Sequence, residues 1–353
     1  MKPKVVILSA FLSPFRSGAE ACVEEVPPIL SDRYDFAIVT ARLRKDLPKE
    51  DEINGIPVVR VGFGTSFDKW LYPFLAPFAA KKLEPTIIHG VLETFAGLAL
   101  LFCSFIVPGK KRVLTMQTTN RDFLKKPIVK SPDVVTAISK ELISQAKLYG
   151  RKDTVHIPNG VHLKDVPRHK PVPGRLLFVG RLEPMKGVDT LLQALKAIVE
   201  NNPDSNVHLH IVGDGGQRKN LEELSQALEI ADRVTFVGKL SSTEVLDEYA
   251  HAEIFCGLSR SEAFGNVFLE AQACACAVVG TRIGGIPDII HDGKSGILVM
   301  PEDSVMAAHE ITKLLDDEIL RTAIVHHGVA NSVQYDWSKI AERYAKVYDS
   351  LVA

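Results

Sequence analysis

The sequence predicts an α/β protein built from two doubly wound, mostly parallel sheets. Three observations carry that expectation. Short apolar runs alternate with amphipathic stretches over nearly all of the 353 residues, which is the pattern of buried parallel strands joined by crossover helices. The pattern resets near a turn cluster of Pro158, Asn159 and Gly160, where Pro and Gly punctuate the chain. The length allows two sizeable hydrophobic cores.

In chain order, "VVILSA", "FAIVT", "PVVRV", "TIIHG", "RVLTM" and "VVTAIS" read as the strands of the first domain. The opening "MKPKVVILSAFLSP" reads as a strand over Val5–Ser9 rather than a leader, because its apolar run is short and polar residues follow. The run from Phe95 to Val107 reads as a buried helix, being well short of the roughly 20 residues a membrane span needs. "DVPRHKPVPG", rich in proline, suits a linker or surface loop, so the boundary falls around 158–173. A second series follows: "LLFVG", "HLHIVG", "VTFVG", "EIFCG", "AVVGT" and "GILVM". The final stretch reads as a helix with Trp337, Ile340, Tyr344 and Val347 on one face, capped by Asp336 or Ser338.

Composition narrows the function. With 46% hydrophobic and 24% charged residues the chain is globular, and a formal net charge of −1 points to neither a nucleic-acid binder nor a halophile. Five cysteines, mostly in apolar segments, suit buried thiols in a reducing compartment. Cys274 and Cys276 form a C-x-C with no partner pair at zinc spacing, so they read as packing.

Ligands of open α/β sheets bind beyond the carboxyl ends of the strands. After "RLLFVG", Arg181 and Lys186 share a short loop framed by Gly180 and Gly187. Two cations there suit a diphosphate. After "EIFCGLSR", Phe264, Gly265 and Asn266 sit where a helix should begin, with Glu262 before it and Glu270 inside it. Helix N-termini favour anionic or electron-rich ligand atoms, and a carboxylate accepts from vicinal hydroxyls. Two diol-bearing rings joined by a diphosphate, a sugar nucleotide, would satisfy both glutamates and both cations. "HIVGDGGQRKN" lacks the third glycine of a dinucleotide fingerprint, since position 218 is Arg218; Gly213 to Gly216 read as a tight turn near a ligand. Ser17–Gly18 precedes an apparent helix, and Gln117–Thr118–Thr119 forms a polar cluster on the same edge. No D-x-D occurs, so no dedicated metal–diphosphate site is expected and charge neutralisation falls to Arg181, Lys186 and helix dipoles.

The motifs "IPNGV", "FVGRLEPMKGVDTLLQA", "HIVGDG", "VTFVG", "SEAFGNVFLEAQA" and "GGIPDII" together resemble the retaining glycosyltransferases of family 4, over most of residues 150–350. The first half is similar more loosely, through "RSGAE", "TIIHG" and "VVTAISK". The resemblance implies the GT-B fold, two Rossmann-like domains facing across a cleft. It implies an N-terminal acceptor domain over 1–158, joined by a returning helix over 336–353, and a nucleotide-sugar domain over 159–335. Glu270 would hold the ribose; Arg181 and Lys186 the diphosphate and leaving group; Glu262 and the backbone of Phe264 to Val267 the donor sugar. Val237, Gly238 and Leu240 would meet the base, with Gly180 and Gly213 close to the donor. Gly18 would approach the diphosphate or acceptor, and Ser17 and Gln117 the acceptor or donor sugar. Two positions depart from the family pattern: Ser17 where a glycine is frequent, and Gln117 where a histidine is frequent.

The expected activity is metal-independent, retaining transfer of a sugar from a UDP- or GDP-sugar to a hydroxyl of a glycan or glycolipid, in the cytoplasm. The alternatives are a GT-B sugar-nucleotide epimerase or a non-catalytic sugar-nucleotide-binding subunit. "DKWLYPFLAPFAAKKLEP" and "NRDFLKKPIVK" add peripheral contact with the inner membrane face, through Trp70, Tyr72, Phe74, Phe78, Lys81 and Lys82 and through Lys125, Lys126 and Lys130. Pro73 and Pro77 argue against a clean helix in the first of these.

Overall fold

The computed structural model describes residues 2–15, 18–120, 124–164 and 166–352. The chain divides into two compact units, Met1–Gly160 with Trp337–Ala353, and Val161–Asp336. Both passages between them are fixed locally. Within the second unit, Val161 and Asp336 form a parallel β-bridge, and the Val161 N–H donates to the Tyr335 carbonyl at 2.8 Å. Within the first, Gly160 lies under the indole of Trp337, where even a Cβ would come within 2.5 Å of the ring.

The first unit is built on eight strands: β1 (Lys4–Leu8), β2 (Asp35–Ala41), β3 (Glu50–Ile53), β4 (Ile56–Val61), β5 (Ile87–Val91), β6 (Lys111–Met116), β7 (Val134–Ala137) and β8 (Val155–His156). Their order is β3-β4-β2-β1-β5-β6-β7-β8. All pairs are parallel except β3–β4. The order reverses between β1 and β5, so a ligand edge is expected where those strands end. The central strands are apolar on both faces because helices cover both. The Trp337–Val352 helix belongs to this layer. It buries Trp337, Ile340, Tyr344, Val347 and Tyr348 against Val23, Tyr34, Phe36 and the sheet.

The second unit has six strands, all parallel: β9 (Arg175–Val179), β10 (His208–Val212), β11 (Val234–Gly238), β12 (Ile254–Gly257), β13 (Ala277–Thr281) and β14 (Ile297–Val299). Their order is β11-β10-β9-β12-β13-β14, with the reversal between β9 and β12. The Val188–Asn201 helix buries Leu191, Leu192, Leu195 and Ile198 on its sheet-facing stripe. Ser241 and Glu244 form a reciprocal capping box at the start of the Ser242–His251 helix.

Two local expectations change. The stretch from Asp68 to Lys82 is one continuous helix despite Pro73 and Pro77. Packing offsets the missing donors: Tyr72, Ala76 and Ala80 are buried, and the Tyr72 hydroxyl donates to the Val39 carbonyl at 2.8 Å. Lys125, expected on a solvated basic segment, is fully buried beside Glu93 at 3.3 Å, so it leaves the candidate membrane-facing surface. Phe95–Ile106 is a helix as expected but is buried only along one face, and no helix among the described residues is long and apolar enough to cross a membrane. All five cysteines are buried, and none of them forms a disulfide.

Candidate functional site: a charged seam at the strand reversal of the second unit

The loops that follow β9 and β12 leave the sheet on either side of its reversal point, and they close on each other. Gly187 makes this possible. Its φ is 64°, and a Cβ there would stand 2.0 Å from the Leu258 carbonyl oxygen. The Arg260 N–H donates to the Met185 carbonyl at 2.8 Å, and the buried Thr281 hydroxyl donates to the Ser259 carbonyl at 2.6 Å. The Gly285 N–H donates to the Glu262 carbonyl at 3.1 Å, so the Gly284–Gly285 turn supports the backbone that carries this carboxylate.

Across this seam the Lys186 ammonium donates to Glu262 Oε2 at 2.6 Å, with the two side chains 19% and 15% exposed. Arg181 is exposed, and its guanidinium forms no ion pair among the described residues. Gly265 (φ 103°) caps the Asn266–Ala273 helix, whose first N–H groups face the same edge. The Phe264 side chain is buried, its ring centroid 6.2 Å from that of Tyr335, so at this position only the backbone is open to a ligand. Glu270 stands one turn inside the helix and accepts from the Tyr249 hydroxyl at 3.2 Å. Gly213 is required by chain geometry, since a Cβ there would meet the Gly180 carbonyl oxygen at 1.9 Å. The Gly213 N–H donates to the Gly238 carbonyl at 2.8 Å, which ties the end of β11 to the same edge. Val237 and Leu240 line, with Thr243, Asp247 and Glu248, a hollow that runs from this edge along the Ser242–His251 helix.

The sequence reading gave Arg260 no role. It makes two 2.8 Å bonds to the Asp189 carboxylate, one of 2.9 Å to Glu302 and one of 2.7 Å to the Pro184 carbonyl. Burial raises the Asp189 carboxyl pKa, but the Arg260 hydrogen bonds and charge outweigh it and hold Asp189 below the usual carboxylate range. This clamp binds the loop bearing Glu262 to the loop and helix bearing Lys186. No local signal reveals it, because its partners lie about seventy residues apart.

In the first unit, Gln117 follows β6 as expected, but its side chain is turned inward. Its amide exchanges 3.3 Å bonds with the Asn159 amide and reaches Cys22 Sγ at 3.3 Å. Beneath it, buried Glu93 accepts from the Gln117 N–H at 2.7 Å and the Thr118 N–H at 3.2 Å, and pairs with Lys125. Burial raises the Glu93 pKa against the opposing pull of Lys125 and those N–H groups. Gly18 is exposed and opens a short 3-10 turn before the Ala21–Ile29 helix. Ser17 lies outside the described residues.

Two other features of the second unit lie elsewhere. A hollow of about 630 Å³ is lined by Pro173, Gly174, Asn206 and Glu253 at the amino-terminal strand edge, opposite the seam. His169, Asp247 and His251 bring possible metal-ligating atoms within 4.8 Å of one another, and His251 ends the helix entering the amino end of β12.

Comparison with known proteins agrees with this architecture. The structure superposes on sucrose-phosphate synthase from Thermosynechococcus elongatus with a TM-score of 0.84, at 21% identity and 99% coverage of both chains. It superposes on Anabaena HepE, solved in complex with UDP-glucose, with a TM-score of 0.80, at 21% identity and 98% and 99% coverage. The fold is that of the GT-B glycosyltransferases. Residues 162–328 match the family described as glycosyl transferases group 1. Over 179 residues the chain is 37% identical to the D-inositol 3-phosphate glycosyltransferase of Corynebacterium urealyticum, a match covering 49% of this chain and 42% of that protein. It therefore spans less than half the length of that curated relative.

Proposed function

We propose that the protein is a retaining glycosyltransferase moving a sugar from a UDP- or GDP-sugar to a hydroxyl of a glycan or glycolipid. The observation that carries this reading is the Lys186–Glu262 pair at the strand reversal, flanked by Arg181 and a helix N-terminus. A diphosphate entering there supplies new counter-charge to Lys186 and Arg181. Glu262 is then free to turn to the hydroxyls of the donor sugar, with the Phe264 to Val267 backbone beside it. Glu270 grips the ribose, and Val237, Gly238 and Leu240 meet the base. In the transfer step the bond from the anomeric carbon to the diphosphate breaks as the acceptor oxygen bonds to the same face. The acceptor proton passes to the departing phosphate oxygen, and Lys186 and Arg181 stabilise the charge that develops. The family match and the UDP-glucose complex of a protein with the same fold support a nucleotide-sugar donor. Neutralisation by two side chains implies turnover without a divalent cation.

Incubation with UDP- and GDP-sugars, with and without chelator, tests this. One donor should release its nucleoside diphosphate at a rate unchanged by chelator and raised by an acceptor alcohol, with the donor's anomeric configuration kept. Acceptor-independent isomerisation would favour an epimerase. Nucleotide binding with no turnover in the presence of lipid and glycan acceptors would favour a binding subunit.

A further inference from the structure

The first unit exposes an unusual aromatic stripe. Phe67, Trp70, Phe74 and Phe78 are 60%, 56%, 55% and 58% exposed along the Asp68–Lys82 helix and its N-cap. At the helical repeat these four positions fall within an arc of about 80°, opposite the buried Tyr72, Ala76 and Ala80. The neighbouring Phe95–Ile106 helix extends the surface: Phe102 stacks on Phe74 at 5.3 Å, and Phe105 is 77% exposed. Isolated exposed apolar residues need no explanation, but a contiguous patch of large rings does.

The charges around the stripe select its occupant. From Lys69 to Leu83 the helix carries Lys69, Lys81 and Lys82 and no carboxylate, and the Phe95–Ile106 helix has no charged residue at all. Asp68 is buried and accepts from the Gly64 and Thr65 N–H groups. Lys81 and Lys82 end their helix just before β5, while Lys110 and Lys111 lead into β6, and Ile87 pairs with Lys111 across these strands. Four cations therefore gather at the end of the stripe near Phe78 and Phe105, beside the exposed acids Glu84 and Asp133, the latter accepting from the Arg112 N–H at 2.8 Å. Rings that insert, rimmed by lysines, match an anionic lipid surface.

We infer that this face of the first unit docks on an anionic membrane, with Phe67, Trp70, Phe74 and Phe78 at the acyl boundary and Lys81, Lys82, Lys110 and Lys111 among the headgroups. At its other end the stripe runs on toward the carboxyl edge of the sheet. Trp70 packs edge-on against Phe95 at 5.0 Å, and Phe95 against Phe11, just beyond β1, at 6.4 Å. An apolar path thus joins the membrane face to the edge that carries Gln117. Docking stands apart from the donor reading; that it presents a lipid-linked acceptor to this unit rests on that reading.

The test uses the full chain with vesicles of phosphatidylcholine alone or mixed with phosphatidylglycerol. Of the two tryptophans, Trp337 is buried, so Trp70 reports. The wild type should float with the anionic vesicles only. Its emission should shift to the blue and be quenched by brominated acyl chains. Phe74→Ser with Phe78→Ser should weaken binding about tenfold or more while leaving the melting temperature and nucleotide binding in place. Lys81→Gln with Lys82→Gln should weaken binding and flatten its salt dependence. Failure of the wild type to float, or full binding by the double serine variant, would overturn the inference. So would lipid-free self-association that the serine substitutions abolish, which would assign the face to a second copy of the chain. Flotation without any nucleotide binding would leave docking in place and sink the donor reading instead.

Discussion

Lys186 joins an observed role to a proposed one, and a single substitution separates them. Without donor its ammonium lies 2.6 Å from Glu262, both side chains less than one-fifth exposed. A charge-assisted bond is worth about 1.5–3 kcal/mol when enclosed, and residual solvent here lowers the net coupling to about 1–2 kcal/mol. Lys186→Met should then lower the melting temperature by about 2–8 °C. Glu262→Gln should do the same, and the double variant should cost little more than either single one. In the proposed mechanism, a bound donor would set the same ammonium against charge that grows as the diphosphate leaves. Loss of one preorganised partner of that kind costs about 10²–10³ in kcat. The assays are thermal unfolding for the four-protein cycle and steady-state release of nucleoside diphosphate. A purely structural Lys186 would lose turnover only in proportion to the unfolded fraction. Turnover of Lys186→Met within about threefold of wild type, where about 10²–10³ is expected, would refute the assignment.

Other positions respond differently. Arg260→Lys keeps the charge but loses the two-pronged grip on Asp189; stability should fall by about 1–2 kcal/mol, and kcat should fall with it as Glu262 and Lys186 lose registration, read by denaturant melts and turnover on the same samples. Burial depresses the pKa of His89 to about 3, and its ring bonds to the Tyr348 and Thr115 hydroxyls at 2.8 and 2.7 Å. The unfolded chain takes up that proton below its ordinary value near 6.5 while the folded chain does not, so the first unit should lose stability as pH falls from about 6.5 toward 3, at about 1.4 kcal/mol per unit. His89→Gln should remove that part of the slope in melts run between pH 7 and pH 5, a range chosen to lie about the ordinary histidine pKa. Glu93→Gln removes the countercharge of buried Lys125, whose ammonium also donates to the Thr118 and Asn120 carbonyls, and should destabilise the first unit by about 3 kcal/mol or more; retention of wild-type stability would show that those carbonyls suffice to hold the cation.

Every strand expected from an apolar run is present, because strands buried under helices on both faces need continuous apolar residues and little else. β3 gave no such signal: its residues Glu50, Asp51 and Glu52 are acidic and exposed, and pairing with β4 at the sheet edge makes it a strand. The helix through Pro73 and Pro77 ran against local preference because packing on its neighbour outweighs two missing N–H donors. At the candidate site, Arg181, Lys186, Glu262 and Glu270 stand out in the sequence by their local spacing. Their supports do not. The Arg260–Asp189 clamp, the Tyr249 contact to Glu270 and the Gln117–Asn159 amide pair join segments that only the folded topology brings together. Lys125 looked like one more surface lysine until the burial of Glu93 gave it a partner.

The central claim is that the seam beside Glu262 and Glu270 binds a nucleoside diphosphate sugar. Calorimetric titration of UDP and GDP into the wild type and Glu270→Ala tests it most directly. The account predicts saturable binding of one nucleotide, weakened about tenfold or more in the variant while its fold is kept. Absence of binding by both nucleotides, or equal affinity in the two proteins, would contradict it.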